Sequence, residues 1–335
     1  MMIAGMMEAI MDKNRFTAGI IADLARQSVE KTFYALGTTV TLTAFGTISD
    51  RILDEAYRLI MCYEDKLTVN RDNSEIMAIN HAAGKGPVQV STGVYQLVKR
   101  AVAASRENSG FNVAIGPLVK LWQIGFEGAN IPSEQQIQKK MVLIDPTRII
   151  LDDRNMTVFL PDAGMELDLG GIAKGYIADR VRSLWDAHGI TAGIINLGGN
   201  LLTVGTCPLH EDAKWRIGVQ NPWQKRGKPL AIEKIGPCSA VTSGIYERYF
   251  ETAGKNYHHI LDSRTGNPLE TDLVGVTVFT RDSLVGEIES TRLFFAGSMP
   301  EDWQKERPDL YGAVFVYRDH RVQCCGFGDV NGLGG

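Results

Sequence analysis

Apolar positions along the chain recur with two periods, one near 3.6 and one near 2, and the boundaries between them divide the sequence into elements. The helical period is clearest in "SDRILDEAYRLIMCYEDKLT", where Ile52, Leu53, Ala56, Leu59 and Ile60 share a side behind a Ser-Asp cap. It recurs in "STGVYQLVKRAVAASRENSG", from a cap at Ser91 or Thr92 to Gly110. It recurs again in "GIAKGYIADRVRSLWDAHG", whose stripe is Ile177, Val181, Leu184 and Trp185 and whose stop is Gly189. "SLVGEIESTRLFFAG" reads as one more helix, and a short one through Ile76 and Ile79 follows the polar turn "VNRDNSE". The N-terminal stretch predicts an amphipathic surface helix with Ile20, Ile21, Leu24 and Ala25 on one side.

The shorter period marks strands. "TFYALGTTVTLTAFG" reads as a strand with a sharp approach at Gly37, "RIILDDRNMTVFLPDAGMELDLGG" as hairpin strands, and "TAGIINLGGNLLTVG" as a buried strand broken by a Gly pair. "WRIGVQ", "SAVTSG", "NYHHILD" and "LVGVTVFT" follow, with "YGAVFVY" as the final strand. After the apolar "FNVAIGPLVKLW", the polar segment to about Pro146 reads as a place where insertions are tolerated. Hairpin strands with interspersed helices predict an α+β fold with mostly antiparallel sheets and packed helices, not a doubly wound parallel sheet.

Composition narrows the class. A chain of 335 residues calls for two lobes or one large elaborated domain. The expected division is an N-terminal helical extension over 1–30, a main domain over 31–320 and a tail over 321–335. The formal charge of -4 and scattered Lys and Arg argue against a nucleic-acid partner. Five cysteines, an odd number with no CxxC spacing, argue against a disulfide framework and a zinc knuckle. Glu8, Asp12, Lys13 and Arg15 interrupt the N-terminal stretch, so neither a signal peptide nor a membrane span is predicted, and the expected location is the cytoplasm.

Four motifs carry candidate chemistry. In "ELDLGGIAKGYIAD" a strand is expected to end at Asp168, and two glycines precede a helix start beside Lys174. Unpaired N–H groups and a Lys there suit a phosphate; an ordinary Gly-rich turn with a solvated Lys is the alternative. In "GEIESTRLFF", Glu287 and Thr291 lie four apart on one helix face, a spacing that can share a hard divalent cation. A solvated Glu beside a Thr bonded to its own backbone is the commoner outcome of that spacing. Gly198 and Gly199 fit either close approach of a ligand or a tight hairpin turn. Thr242, Ser243 and Gly244 could offer donors to an oxyanion, without the frame of a hydrolase nucleophile. In "GKNYHHILDSRTGNP", His258 and His259 are neighbours on an expected strand and so point to opposite faces, which disfavours a shared metal.

Taken in order, "ALGTTV", "LTVNRDNSEIMAIN", "SGFNVAIGPLVKLW", "LDLGGIAKGYIAD", "INLGGN", "TSGIYERYF", "HILDSRTGNP" and "GEIESTRLFFAG" resemble the motifs of the FAD:protein FMN transferase family, the ApbE-type flavin transferases. The resemblance runs from about Phe33 to Gly297 and implies an ApbE-like, T-fold-related architecture. It implies Mg2+-dependent transfer of FMN from FAD to a Thr or Ser hydroxyl of a target flavoprotein, with release of AMP. It places Leu36, Asn70, Gly110, Phe111, Asn112, Asp168, Lys174 and Leu261 around FAD. Its metal site falls on the Gly171 carbonyl, Glu287 and Thr291, with Ser290 a further candidate. His259 takes the position of a general base, with Asp262 as the carboxylate that orients it. The family usually has Asp at 287, 112 and 200, Pro at 263, Met at 36 and an aromatic at 70, where this chain has Glu, Asn, Asn, Ser, Leu and Asn. Two other activities compete: an FAD pyrophosphatase in which water is the acceptor, and a flavin carrier that performs no chemistry.

Overall fold

Order in the main sheet follows order in the chain. The computed structural model describes residues 27–225, 227–252 and 254–327, so the expected N-terminal helix lies outside the described residues. Eight strands, β1 (Ser28–Ala35), β2 (Thr38–Phe45), β3 (Gly193–Leu197), β4 (Asn200–Val204), β5 (Ser239–Gly244), β6 (Leu273–Thr280), β7 (Leu310–Tyr317) and β8 (Val322–Cys325), pair consecutively and antiparallel. The α+β reading of the sequence holds.

Two tight turns set the register at one end of this sheet. Leu36 and Gly37 join β1 to β2 with φ of 54° and 70°, and Gly198 and Gly199 join β3 to β4 with φ of 68° and 100°. Two-residue loops with both φ positive twist as the strands do. "TFYALGTTVTLTAFG" is therefore a hairpin, not the single strand expected, because Leu36 accepts a left-handed conformation. A Cβ at Gly198 would lie 2.2 Å from Thr38 Oγ1, so the two turns touch.

The long excursion between β2 and β3 supplies the helices α1 (Asp50–Leu67), α2 (Glu75–His81), α3 (Thr92–Arg106), α4 (Gly116–Trp122), α5 (Glu134–Met141) and α6 (Ala173–Ala187). Ser49 caps α1, which buries Leu53, Ala56 and Ile60; α6 buries Ile177, Val181 and Trp185. These join Val40, Leu42, Ile195 and Leu202 of the sheet in the largest core. Alternate residues of the same strands, among them Phe45, Ala240, Phe279 and Val314, face the opposite side. There they meet Trp215, Ile217 and Ile235 of a ribbon formed by Trp215–Gln220 and Pro229–Ile235. β6 is buried along its whole length and sends Val276 and Val278 toward α7 (Ser283–Ala296).

Several boundaries differ from expectation. The polar segment before Pro146 contains α5, started by a capping box in which Ser133 and Gln136 exchange bonds. Its fully buried residue, Ile137, is 2% exposed and belongs to a core with Leu118, Trp122 and Leu261, against which Met141 also packs. "YGAVFVY" is not the final strand, since Val322–Cys325, within the expected tail, pairs with it. Pro229–Ile235 and Tyr249–Thr252 are strands the sequence reading passed over.

Candidate functional site

Helices α6 and α7 cross at Gly175. A Cβ there would lie 2.4 Å from the Ser283 carbonyl oxygen and 2.6 Å from Glu287 Cγ, so only glycine permits this approach. The close approach brings the Glu287 carboxylate onto the start of α6, where Gly175 N–H donates to Oε1 at 3.2 Å. Asn200 Nδ2, at the β3–β4 turn, donates to the same oxygen at 2.8 Å. Glu287 is 8% exposed, not solvated. Burial raises its pKa, while the Lys174 ammonium and the two donors oppose the rise.

The bonds received by Glu287 fall on Oε1, which leaves Oε2 as the oxygen suited to a cation. One turn further, Thr291 Oγ1 donates to the Glu287 carbonyl at 3.1 Å, the backbone bond expected of a helical Thr. That bond uses its proton and keeps its lone pairs for a cation. Ser290 is fully buried and its hydroxyl is committed twice, donating to Glu287 O and accepting from Ser243 Oγ. Its fit to a cation is correspondingly poorer. Among the described residues no three His, Cys, Asp or Glu side chains form a metal cluster. A carboxylate oxygen with a hydroxyl one helical turn away suits a hard ion that keeps most of its coordination for phosphate oxygens and water.

Asp168 lies in an irregular extended segment, not at a strand end, and is tied there by its N–H to Val113 O at 2.8 Å. Its Oδ1 accepts from Gly170 N at 2.7 Å. Burial raises its pKa against that bond and against the charge of Arg248. The expected nest of free N–H groups is partly occupied, because Ala173 N bonds Leu169 O and Gly175 N bonds Glu287. Lys174 supplies the full charge beside it. Phe111 packs 3.4 Å from where a Gly171 Cβ would be, joining the Gly110–Asn112 turn to this segment. Gly110, at φ 105°, leaves no room for a side chain against Phe295. Asn112 accepts Ala114 N and donates to Ile144 O, which fixes the turn.

The strand leading to the histidines ends at His258. His258 is 3% exposed and its Nε2 bonds the Leu269 carbonyl at 3.0 Å. His259, the next residue, is half-buried, and both its N–H and its Nδ1 lie on the Arg248 carbonyl, at 3.2 and 3.1 Å. Desolvation, helped by the charges of Arg248, His258 and Lys174, pushes its pKa down to about 4 against the bond to the Arg248 carbonyl. The ring is therefore neutral at pH 7, with Nδ1–H held by the carbonyl and Nε2 left as the acceptor.

Asp262 does not orient His259. Its carboxylate forks onto Arg264, with Nη2 at 2.8 Å, and accepts Arg264 N at 2.9 Å. Burial would raise its pKa, and these bonds outweigh burial and hold it low. The orienting group is the Arg248 carbonyl, which sequence reading missed because a backbone oxygen has no residue-type signature. Leu261 is core, packed with Trp122 and Ile137. Ser109, Gly110, Asp262, Arg264, Arg292 and Phe295 border a cleft of about 200 Å³ beside this turn.

Two further expected flavin contacts lie in turns. Asn70 is exposed in the turn between α1 and α2, with its N–H on Thr68 Oγ1. Leu36 sits at the β1–β2 turn, linked to the site through Thr38 and the Gly198–Asn200 turn. Thr242 and Ser243 are paired within the sheet, their hydroxyls on Thr277 and Ser290, so they do not form an oxyanion hole. Asp179, unremarked in the sequence, accepts Ser283 N and Leu284 N at 2.9 Å each. A carboxylate between the buried Ala178 and Val181 was the available signal.

Comparison with known proteins returns one consistent set. A sequence profile of the ApbE family matches residues 36–313. An FAD:protein FMN transferase of Klebsiella pneumoniae (strain 342) is 47% identical over 288 residues, covering 86% of this chain and 88% of the relative. One of Treponema pallidum (strain Nichols) is 35% identical, covering 81% and 78%. The crystal structure of an ApbE protein from Thermotoga maritima superposes with a TM-score of 0.78 at 28% identity, covering 89% of this chain and 97% of that one.

Proposed function

The chain belongs to the ApbE family of flavin transferases, and from that premise we propose that it moves FMN from FAD onto a Thr or Ser hydroxyl of a target protein and releases AMP. The acceptor hydroxyl oxygen attacks the phosphorus of the FMN half. The P–O bond to the AMP phosphate breaks, and the hydroxyl proton passes to His259 Nε2. A neutral imidazole at pH 7 with Nδ1 pinned by Arg248 O is ready for that proton.

One observation carries the reading: the buried Glu287 carboxylate sits at the start of α6, taking Gly175 N–H and Asn200 Nδ2 on Oε1 and leaving Oε2 for a cation, with Lys174 the residue before Gly175. A carboxylate, a lysine and a helix start thus stand together, as charge neutralisation on a pyrophosphate requires. Lys174 and the start of α6 bind the phosphates, and the Gly110–Asn112 turn and Asp168 position the remainder of FAD. Mg2+ held by Glu287 and Thr291 with the Gly171 carbonyl would supply charge neutralisation at the pyrophosphate.

The test is incubation with FAD, Mg2+ and a domain presenting a Thr acceptor. Flavin fluorescence that stays on the acceptor through denaturing electrophoresis, with AMP formed in equal amount, is the expected result. Free FMN and AMP without labelled acceptor would make the protein a pyrophosphatase, and intact FAD would make it a carrier.

A further inference from the structure

The bonds at the α6–α7 crossing form a closed circuit. Asp179 accepts Ser283 N on Oδ1 and Leu284 N on Oδ2, so it caps α7 from the neighbouring helix. Asp282, at the N-cap position itself, makes no side-chain capping bond. Ser283 Oγ donates to Asn200 Oδ1 at 2.9 Å, and Asn200 Nδ2 donates to Glu287 Oε1 at 2.8 Å. Glu287 Oε1 accepts Gly175 N, and Gly175 stands one turn before Asp179 on α6. Each helix is therefore capped by a carboxylate of the other, and all five residues are buried. Arg182 balances the charge, pairing with Asp179 at 3.2 Å and with Asp282.

We propose that Asp179 is a positioning residue for the cation site: by fixing α7 against α6, it holds the Glu287 carboxylate with Oε1 bound and Oε2 left as a metal ligand. The inference rests on the cation reading given above. An N-cap from α7's own sequence would complete the helix without fixing its place along α6. A cap from α6 ties that place to the residue that receives Glu287. Glu carries three rotatable bonds, and holding one rotamer before the metal arrives removes an ordering cost from metal binding. Groups behind a ligand commonly change metal affinity by about 10–100-fold when removed.

The probe is Mn2+ alone, titrated into the full chain and followed by loss of the free-ion electron paramagnetic resonance signal, with thermal melting on each sample. Asp179→Asn should raise the Mn2+ Kd by about 10–100-fold. Excess metal should restore kcat, and the KM for FAD at saturating metal should stay unchanged. A folded Asp179→Asn with the Mn2+ Kd of the wild type overturns the proposal, as does a kcat deficit that excess metal leaves in place. If Asp179→Asn does not fold, Ser283→Ala breaks the same circuit at its link to Asn200 and should raise the Kd by about 10-fold; an unchanged value again overturns it. Glu287→Ala separates the two levels. Mn2+ binding insensitive to Glu287→Ala rejects the cation reading itself, whereas binding lost in Glu287→Ala and retained in Asp179→Asn rejects only the role of Asp179.

Discussion

The two halves of the candidate site are built to different standards. On the cation side, Glu287 lies between two helices and a hairpin turn, and two donors fix its carboxylate. On the other side His259, the proposed base, follows the end of a two-stranded ribbon, and one backbone carbonyl holds its ring. Phosphate charge is the same in every turnover, so the groups that meet it gain from being fixed in advance. The proposed acceptor is a separate protein, and a proposed base at the edge of a short ribbon can adjust to it. In the proposed reaction the rigid half would meet the invariant phosphates and the looser half the variable acceptor.

The largest expected effect lies on the looser half. His259→Ala should reduce the transfer rate by about 10²–10⁴-fold while leaving the melting temperature nearly unchanged, because the half-buried ring contributes little packing. A rate within threefold of wild type would remove His259 as the base. Gly175→Ala probes the rigid half. Its Cβ would meet backbone at 2.4 Å, so denaturant unfolding should show a loss of roughly 1–3 kcal/mol. Unaltered stability would mean that the crossing is not as tight as described.

A third expectation concerns pH. His258 and His259 both have folded pKa values near 4, below the ordinary 6.5, chiefly through desolvation. Between those values the unfolded chain binds protons that the folded chain refuses, so stability is complete above about 6.5 and falls as pH drops toward 4. Urea midpoints measured across that window should decline toward acid, and His258→Gln should flatten the decline. The smallest effect should come from Asp262→Asn. Arg264 is 65% exposed, so the pair should be worth less than about 1 kcal/mol, and kcat should change little because Asp262 does not touch His259. A hundredfold loss of kcat would restore Asp262 to the orienting role that the resemblance implied.

Much of this was legible in the chain. Caps, stops and 3.6-residue spacing marked α1, α3 and α6, and family motifs picked out several of the segments that meet at the site. Legibility failed where the physics is not encoded by local residue type. The Arg248 carbonyl that holds His259 would be the same atom on any residue. The cap of α7 by Asp179 joins positions about a hundred apart in the chain, beyond any window of local pattern. Helix α5 was hidden because a single buried residue, Ile137, gives no period. The Thr291 bond to its own helix backbone followed the ordinary rule, while the buried Glu287 beside it did not. Only the partner helix distinguishes them.

The consecutive strand order also bears on how the site comes into being. β1–β2, β3–β4 and β7–β8 are local hairpins that can form from short loops. Pairing β2 with β3, however, closes a loop over residues 46–192, which costs entropy that only the completed helical layer offsets. The Glu287 circuit needs α6 from the end of that loop, Asn200 from the hairpin after it and α7 from far downstream. The proposed cation half of the site is therefore among the last parts of the chain to assemble, and under the proposed function a nascent or partly folded molecule should be unable to cleave FAD.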